Sequence, residues 1–191
     1  MENDFIVDLK NKICKIESSK YNFAYGFFYE IPFQNHSLKV LVTNNYILSL
    51  EFFYNHNEIK LEVNSEKKIL PINNKRKIWT NEDMNYTIVE ILEADQINSF
   101  FTFEEKMNTE NLIKESKDLI FPILNENQDI SIEKRKIEPI SCDSFYFHDN
   151  CNINYNSSGE PYITPDNYCI IGIHIIMIKK IKIMKKILEF L

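Results

Sequence analysis

Dense apolar runs separated by short polar breaks fill most of this chain, and few of the runs are long enough for helices. Residues 22 to 33, NFAYGFFYEIPF, are rich in aromatics and close on Pro32, followed by the polar loop QNHS. Aromatic and β-branched side chains suit a pleated surface, so this run predicts a strand entering a turn. LKVLVTN, residues 38 to 44, is a short apolar run that fits a buried strand. YILSLEFF and EIKLEVNSEKKILPI predict further strands, with a turn at Asn55 to Asn57 between them. In the second, Ile59, Leu61 and Val63 alternate with Lys60 and Glu62, the period of a half-buried strand. NYTIVEILEA (85–94), LIFPIL (119–124), ISIEKRKIEPI (130–140) and YCIIGIHIIMI (168–178) continue the series. Many short strands with loops between them predict an all-β barrel or sandwich. Helix is expected only in the first dozen residues, around 95 to 116, and at the tail. There Ile178, Ile181, Met184, Leu188 and Leu191 recur at three- and four-residue steps among lysines, an amphipathic helix signature. The other reading of the tail is that residues 175 to 183 extend the last strand.

Composition narrows the picture further. With 191 residues, 44% of them hydrophobic, the chain suits one domain, or two half-domains sharing a core. A net charge of −6 gives no electrostatic footprint for nucleic acid. The opening MENDFIVDLK is acidic where a secretory signal is basic and then apolar, so a cytoplasmic location is expected. Cys14, Cys142, Cys151 and Cys169 form no CxxC pair and read as free thiols. Cys142, His148 and Cys151 lack a fourth ligand at zinc spacing, so neither metal nor cofactor is expected. The basic tail has some capacity for an anionic membrane surface, but packing on the body of the protein is the stronger expectation.

The chain has only three glycines, Gly26, Gly159 and Gly172. Gly159 lies in NSSGEPYI, residues 156 to 163. By itself this octapeptide is ordinary turn punctuation. Its place in the order of segments gives it meaning. TNNYIL (43–48) is similar to the TNNHVL-type segment of trypsin-like serine peptidases, and WTNEDMNYTIVEI (79–91) to their YDITIIEI-like run. NSSGEPYI resembles the GSSGSPI nucleophile turn, CIIGIH (169–174) the VIGIH strand lining the substrate cleft, and AYGFF the GTGFF-like opening strand. The resemblance runs in register over about residues 10 to 175. It implies the chymotrypsin-like fold, two small antiparallel β-barrels with a cleft between them. The first barrel is expected over about 1–105, the second over about 106–175, and the tail over 176–191.

Against that family the departures carry the functional message. The resemblance puts Ser158 at the nucleophile, Tyr46 at the histidine base and Asn85 at the orienting aspartate. A serine hydroxyl attacks poorly unless an imidazole takes its proton and a carboxylate holds that imidazole in the right tautomer. A phenol, with its usual pKa of about 10, does not serve as that base at neutral pH. Exchanging the carboxylate for an amide alone costs roughly 10⁴ in kcat. In the oxyanion turn, Asn156 replaces a glycine, Ser157 and Gly159 are kept, and Glu160 replaces a small residue. By register Asn152 floors the first substrate pocket, and Ile171, Gly172, Ile173 and His174 line the cleft, where an extended peptide adds as a strand. The resulting expectation is an inactive peptidase homologue whose cleft binds peptide or protein. The alternative is an active serine endopeptidase with a substitute base drawn from His36, His56, His148 or His174, with Asp83 near Asn85.

Overall fold

The structure is a computed structural model; it describes residues 2–17, 24–33, 36–102, 118–124, 129–138, 146–149, 159–164, 170–175 and 180–183. Helix α1 (Glu2–Lys12) opens the chain, and eight strands follow in the first half: β1 (Ile13–Ile16), β2 (Ala24–Phe33), β3 (His36–Thr43), β4 (Glu58–Val63), β5 (Glu66–Pro71), β6 (Ile78–Asn81), β7 (Tyr86–Glu90) and β8 (Phe101–Thr102). They form one curled sheet in the order β5-β4-β1-β2-β3-β7-β6, antiparallel throughout except for β8, which pairs in parallel with β2. The second half supplies β9 (Asp118–Leu124), β10 (Ile130–Glu138), β11 (Tyr146–Asp149), β12 (Pro161–Ile163), β13 (Ile170–Ile175) and β14 (Lys180–Ile183). These close into a six-stranded barrel in the order β10-β11-β14-β13-β12-β9.

The long apolar run in β2 follows from burial on both faces. Tyr25, Phe27, Tyr29 and Ile31 face one cluster, while Ala24 and Phe28 face another. The first cluster also holds Val40, Val42 and Ile88 of the same sheet, Leu9 of α1, and Ile120, Ile130, Ile163, Ile170 and Ile173 of the barrel. It is the shared core that joins the two halves. The second cluster, with Leu41, Leu48, Ile59, Leu61, Leu70 and Val89, fills the concave side of the first sheet. Burial of each such side chain is worth about 1.5–3 kcal/mol, so register errors that flip the faces are strongly disfavoured.

The β4–β5 hairpin turns on Asn64 and Ser65, both at positive φ (46° and 65°), as a two-residue turn with matching right-handed twist requires. Lys10 and Lys12 sit in the last turn of α1, where cations favour the negative end of the helix dipole. Lys10 reaches Asp129, just before β10, at 3.1 Å.

Two expectations are corrected, and a third lies mostly outside the described residues. YILSLEFF is not a strand: residues 45–48 turn, and Leu50–Asn55 form helix α2. Ser49 caps that helix by accepting from the Phe52 N–H at 3.2 Å. Reading this apolar run as a strand overlooked the serine cap. Lys180–Ile183 is strand β14 rather than the start of a tail helix, because it completes the barrel between β11 and β13. Accordingly, the second barrel is closed. Around 95 to 116, a 3-10 turn spans Glu93–Asp95, and residues 103–117 lie outside the described set.

Candidate functional site

The site grows from the ends of β3, β7 and β12. After Thr43 the chain leaves β3 in a turn in which the Ile47 and Leu48 N–H groups donate to the Asn44 carbonyl at 3.1 and 3.3 Å. Asn44, Asn45, Thr43 and Thr87 are all buried here. Burying them demands partners, since an unmet polar group costs about 1–3 kcal/mol. The Asn45 amide donates to Thr87 Oγ1 at 3.3 Å, and the Thr87 hydroxyl donates to the Leu48 carbonyl at 2.7 Å. The turn is thereby fastened to β7.

On the opposite side stands the β6–β7 hairpin. Asn81 Oδ1 accepts from the Met84 N–H at 2.7 Å, and the Asn85 N–H donates to the Glu82 carbonyl at 3.0 Å. Asn85 itself adopts φ 45°, a left-handed conformation that asparagine tolerates best after glycine. That geometry aims its side chain at the β3 turn, where Oδ1 accepts from the Tyr46 backbone N–H at 3.3 Å. Tyr46 is half-buried, and its side chain packs against the core of the first sheet. Burial pushes the neighbouring Tyr86 phenol up, partly offset by a hydrogen bond with the Asn81 side chain.

The third element is Gly159, at φ 95°. A Cβ there would lie 1.9 Å from the Tyr25 carbonyl oxygen and 3.1 Å from Thr43 Oγ1. The Thr43 hydroxyl in turn donates to that same Tyr25 carbonyl at 2.7 Å. Only a glycine lets the second half of the protein rest on β2 and β3 at this point. Gly159 therefore docks three residues before Tyr46, and Glu160, which follows it, is buried.

Among the residues read from sequence, Tyr46 and Asn85 touch, and Gly159 abuts the strand leading to Tyr46. Asn152, Asn156, Ser157 and Ser158 lie outside the described residues, as do Cys142 and Cys151. His36 opens β3 and Thr43 ends it, so at roughly 3.4 Å per residue they stand ~24 Å apart. His56 caps α2, stacked on Phe52 with ring centroids 4.2 Å apart. Asp83 is exposed in the hairpin turn rather than on a strand. His148 and His174 sit in β11 and β13. Among the described residues no group of acidic, histidine or cysteine side chains is arranged to hold a metal, and no helix is long and apolar enough to cross a membrane.

The strand read as lining the cleft is paired over part of its length. Gly172 and Ile173 are paired on both sides, with Tyr162 and Pro161 of β12 and with Ile183 and Lys182 of β14. Neither is open to an added strand. β12 ends there, however, and among the described residues His174 and Ile175 pair with β14 alone. Sequence reading missed Tyr25, Thr43 and Thr87. Only Thr43 carried a signal, a threonine ending an apolar strand, and that is common elsewhere.

A curled sheet packed on a six-stranded barrel, with turns from both halves meeting at β3, defines the chymotrypsin-like two-barrel fold of serine and cysteine proteases. No protein-family model and no curated protein sequence matches the chain. Solved structures do. Catalytically inactive tobacco etch virus protease, complexed with substrate, is similar at 12% identity and a TM-score of 0.59, covering 91% of this chain and 77% of that one. The inactive form of the Rv3671c protease, from M. tuberculosis H37Rv, is similar at 10% identity and a TM-score of 0.63, covering 97% and 90%. Tobacco vein mottling virus protease is similar at 13% identity and a TM-score of 0.55. At such identities the likeness is one of fold.

Proposed function

We propose that this chain is a trypsin-like peptidase homologue without proteolytic activity, whose inter-barrel cleft binds an extended peptide or protein segment. The observation that carries the reading is the contact between the Tyr46 N–H and Asn85 Oδ1. It pairs the two positions that the family resemblance assigns to base and orienter, and they hold a phenol and a neutral amide. Neither group takes a proton from a serine at neutral pH, and triad members fail as a unit, with losses on the order of 10⁶ in kcat. Among the described residues, the edge of His174 and Ile175 beyond the end of β12 leaves a short stretch of backbone, with one of its two residues facing outward, for an extended peptide to pair with.

Labelling of Ser158 by a fluorophosphonate probe tests the reading. The native chain is expected to label no faster than Ser158→Ala. Tyr46→His combined with Asn85→Asp is expected to restore labelling, while each single change does little, since an imidazole without its carboxylate samples the wrong tautomer. Adding Asn156→Gly and Glu160→Ser is expected to speed labelling further, with ~3 kcal/mol the scale of an oxyanion donor. Native labelling as fast as that of the repaired chain overturns the inactivity. No labelling in a repaired chain with a native circular dichroism spectrum overturns the placement of Ser158.

A further inference from the structure

β5 and β6 are the two end strands of the first sheet, whereas the barrel, being closed, presents no end strand. An open edge is a row of unpaired backbone groups, and proteins usually blunt it with charge or proline. β5 follows that rule with Lys67, Lys68 and Pro71. β6 does not. Its sequence Ile78-Trp79-Thr80-Asn81 has no charge and no proline.

The hydrogen bonding shows which groups face out. The Glu90 N–H donates to the Lys77 carbonyl at 2.9 Å, so Lys77 points its backbone toward β7. Bonded and non-bonded positions alternate along an antiparallel pair. Trp79 and Asn81 therefore also face β7, opposite Ile88 and Tyr86, and Ile78 and Thr80 turn their N–H and C=O groups outward. Among the described residues nothing pairs with that edge, and all four strand residues are half-buried rather than covered.

The flanks decide what pairs there. Lys75 and Lys77 precede the strand and Glu82 and Asp83 follow it, all four exposed. An antiparallel copy of the same strand brings the lysine end of one chain against the acidic end of the other, at both ends of the pair. We propose that β6 is a self-recognition edge, through which two copies of this chain join their first sheets about a twofold axis. With Ile78 opposite Thr80 of the second copy, two bonded pairs form, giving four backbone hydrogen bonds, and Trp79 meets Trp79 of the second copy across the axis. Such a two-fold contact is self-complementary, as closed dimers require. Four residues a side bury less than the roughly 1,200 Å² of a standard interface, so the dimer is weak and concentration-dependent.

Sedimentation velocity on the full chain, from about 10 µM to about 1 mM, spans the range of such an association. The native chain is expected to shift from monomer toward dimer, less so at raised salt, which screens the flanking charges. Thr80→Pro removes an outward N–H and no bond to β7, so it is expected to stay monomeric. Lys75→Glu with Lys77→Glu, and separately Glu82→Lys with Asp83→Lys, are each expected to be monomeric alone and to form a heterodimer when mixed. The mixing experiment holds even if the proline variant fails to fold. A native chain monomeric throughout, a folded Thr80→Pro chain that still dimerises, or charge variants that remain separate on mixing each overturn the proposal.

Discussion

Removing the Arg76 guanidinium should be among the most damaging single changes available outside the apolar core. Arg76 lies between β5 and β6, the two ends of the first sheet, where no strand ladder connects them. Its Nε donates to the Pro71 carbonyl at 2.9 Å, and Nη1 donates to the Glu90 carbonyl at 2.5 Å and to Asp95 Oδ2 at 2.8 Å. Nη2 completes the fork to Asp95 Oδ1 at 2.8 Å, with the two side chains 1% and 3% exposed. One planar cation thus ties the end of β5, the end of β7 and the 3-10 turn together, a role lysine's point charge does not reproduce. Arg76→Met leaves Asp95 charged and buried, a loss of about 3–5 kcal/mol for a broken buried pair. At ~2–4 °C per kcal/mol for a chain of this size, the melting temperature should fall by ~6–20 °C. Arg76→Met with Asp95→Leu should recover part of that, since the orphaned carboxylate is gone, while the two carbonyls lack a donor and the Leu92 N–H, which donates to Asp95 Oδ2 at 2.7 Å, lacks an acceptor. Urea and thermal unfolding of the native, single and double variants measure it. A single variant within ~1 kcal/mol of native would refute the reasoning, because a buried pair breaks at about 3–5 kcal/mol. So would a double variant no better than the single.

Gly159→Ala should destabilise by more than the ~1–3 kcal/mol of a strained backbone conformation, because the new methyl also meets the Tyr25 carbonyl; chemical denaturation measures it, and a change below ~1 kcal/mol would show that the turn does not rest on β2. Burial pushes the Cys14 thiol far up, against a smaller lowering by its hydrogen bond with the Gly26 backbone, so native Cys14 should resist iodoacetamide. A raised folded-state pKa means that the unfolded chain loses this proton first. The stabilisation is therefore complete below the unfolded thiol's pKa of about 8.5 and is lost above it at ~1.4 kcal/mol per pH unit. Cys14→Ala should flatten that alkaline slope by one proton, and an unchanged slope would count against the assignment.

The strands were legible where one chemical period governed them. In β4, Ile59, Leu61 and Val63 face the core and Lys60 faces water, as the alternation required. β2 and β3 were legible for the opposite reason: aromatic and aliphatic side chains on both faces mark strands covered on both sides. Reading failed where local chemistry overrode the pattern. The apolar YILSLEFF contains Ser49, and a capped helix gives Phe52 and Phe53 a partly buried seat on the same cluster that a strand would have faced. At Lys180–Ile183 the three-and-four spacing lost to tertiary demand. Without β14, β11 and β13 would each present an unpaired edge, and closing the barrel satisfies both at once.

The site divides along a similar line, between what backbone geometry fixes and what side-chain chemistry would have to supply. Positions 46 and 85 are 39 residues apart in sequence, yet they meet through a backbone N–H and a side-chain oxygen. An asparagine oxygen accepts that hydrogen bond in the geometry a carboxylate would use, though less strongly than a charged acceptor, so the contact itself requires no negative charge. The same holds for Tyr46: its N–H needs the turn, and its ring finds a place on the first-sheet core, so nothing in the packing calls for an imidazole. Gly159 is the counterexample. No side chain fits between it and the Tyr25 carbonyl, and this requirement belongs to the docking of the two halves rather than to any proton transfer. Selection for the fold alone would thus retain Gly159 and the Asn85 contact while leaving Tyr46 free to drift. On the proposed reading, a peptide-binding groove would need only the fold and the edge at His174 and Ile175, which among the described residues pairs with β14 alone. Proteolysis needs in addition the two groups that this arrangement can do without.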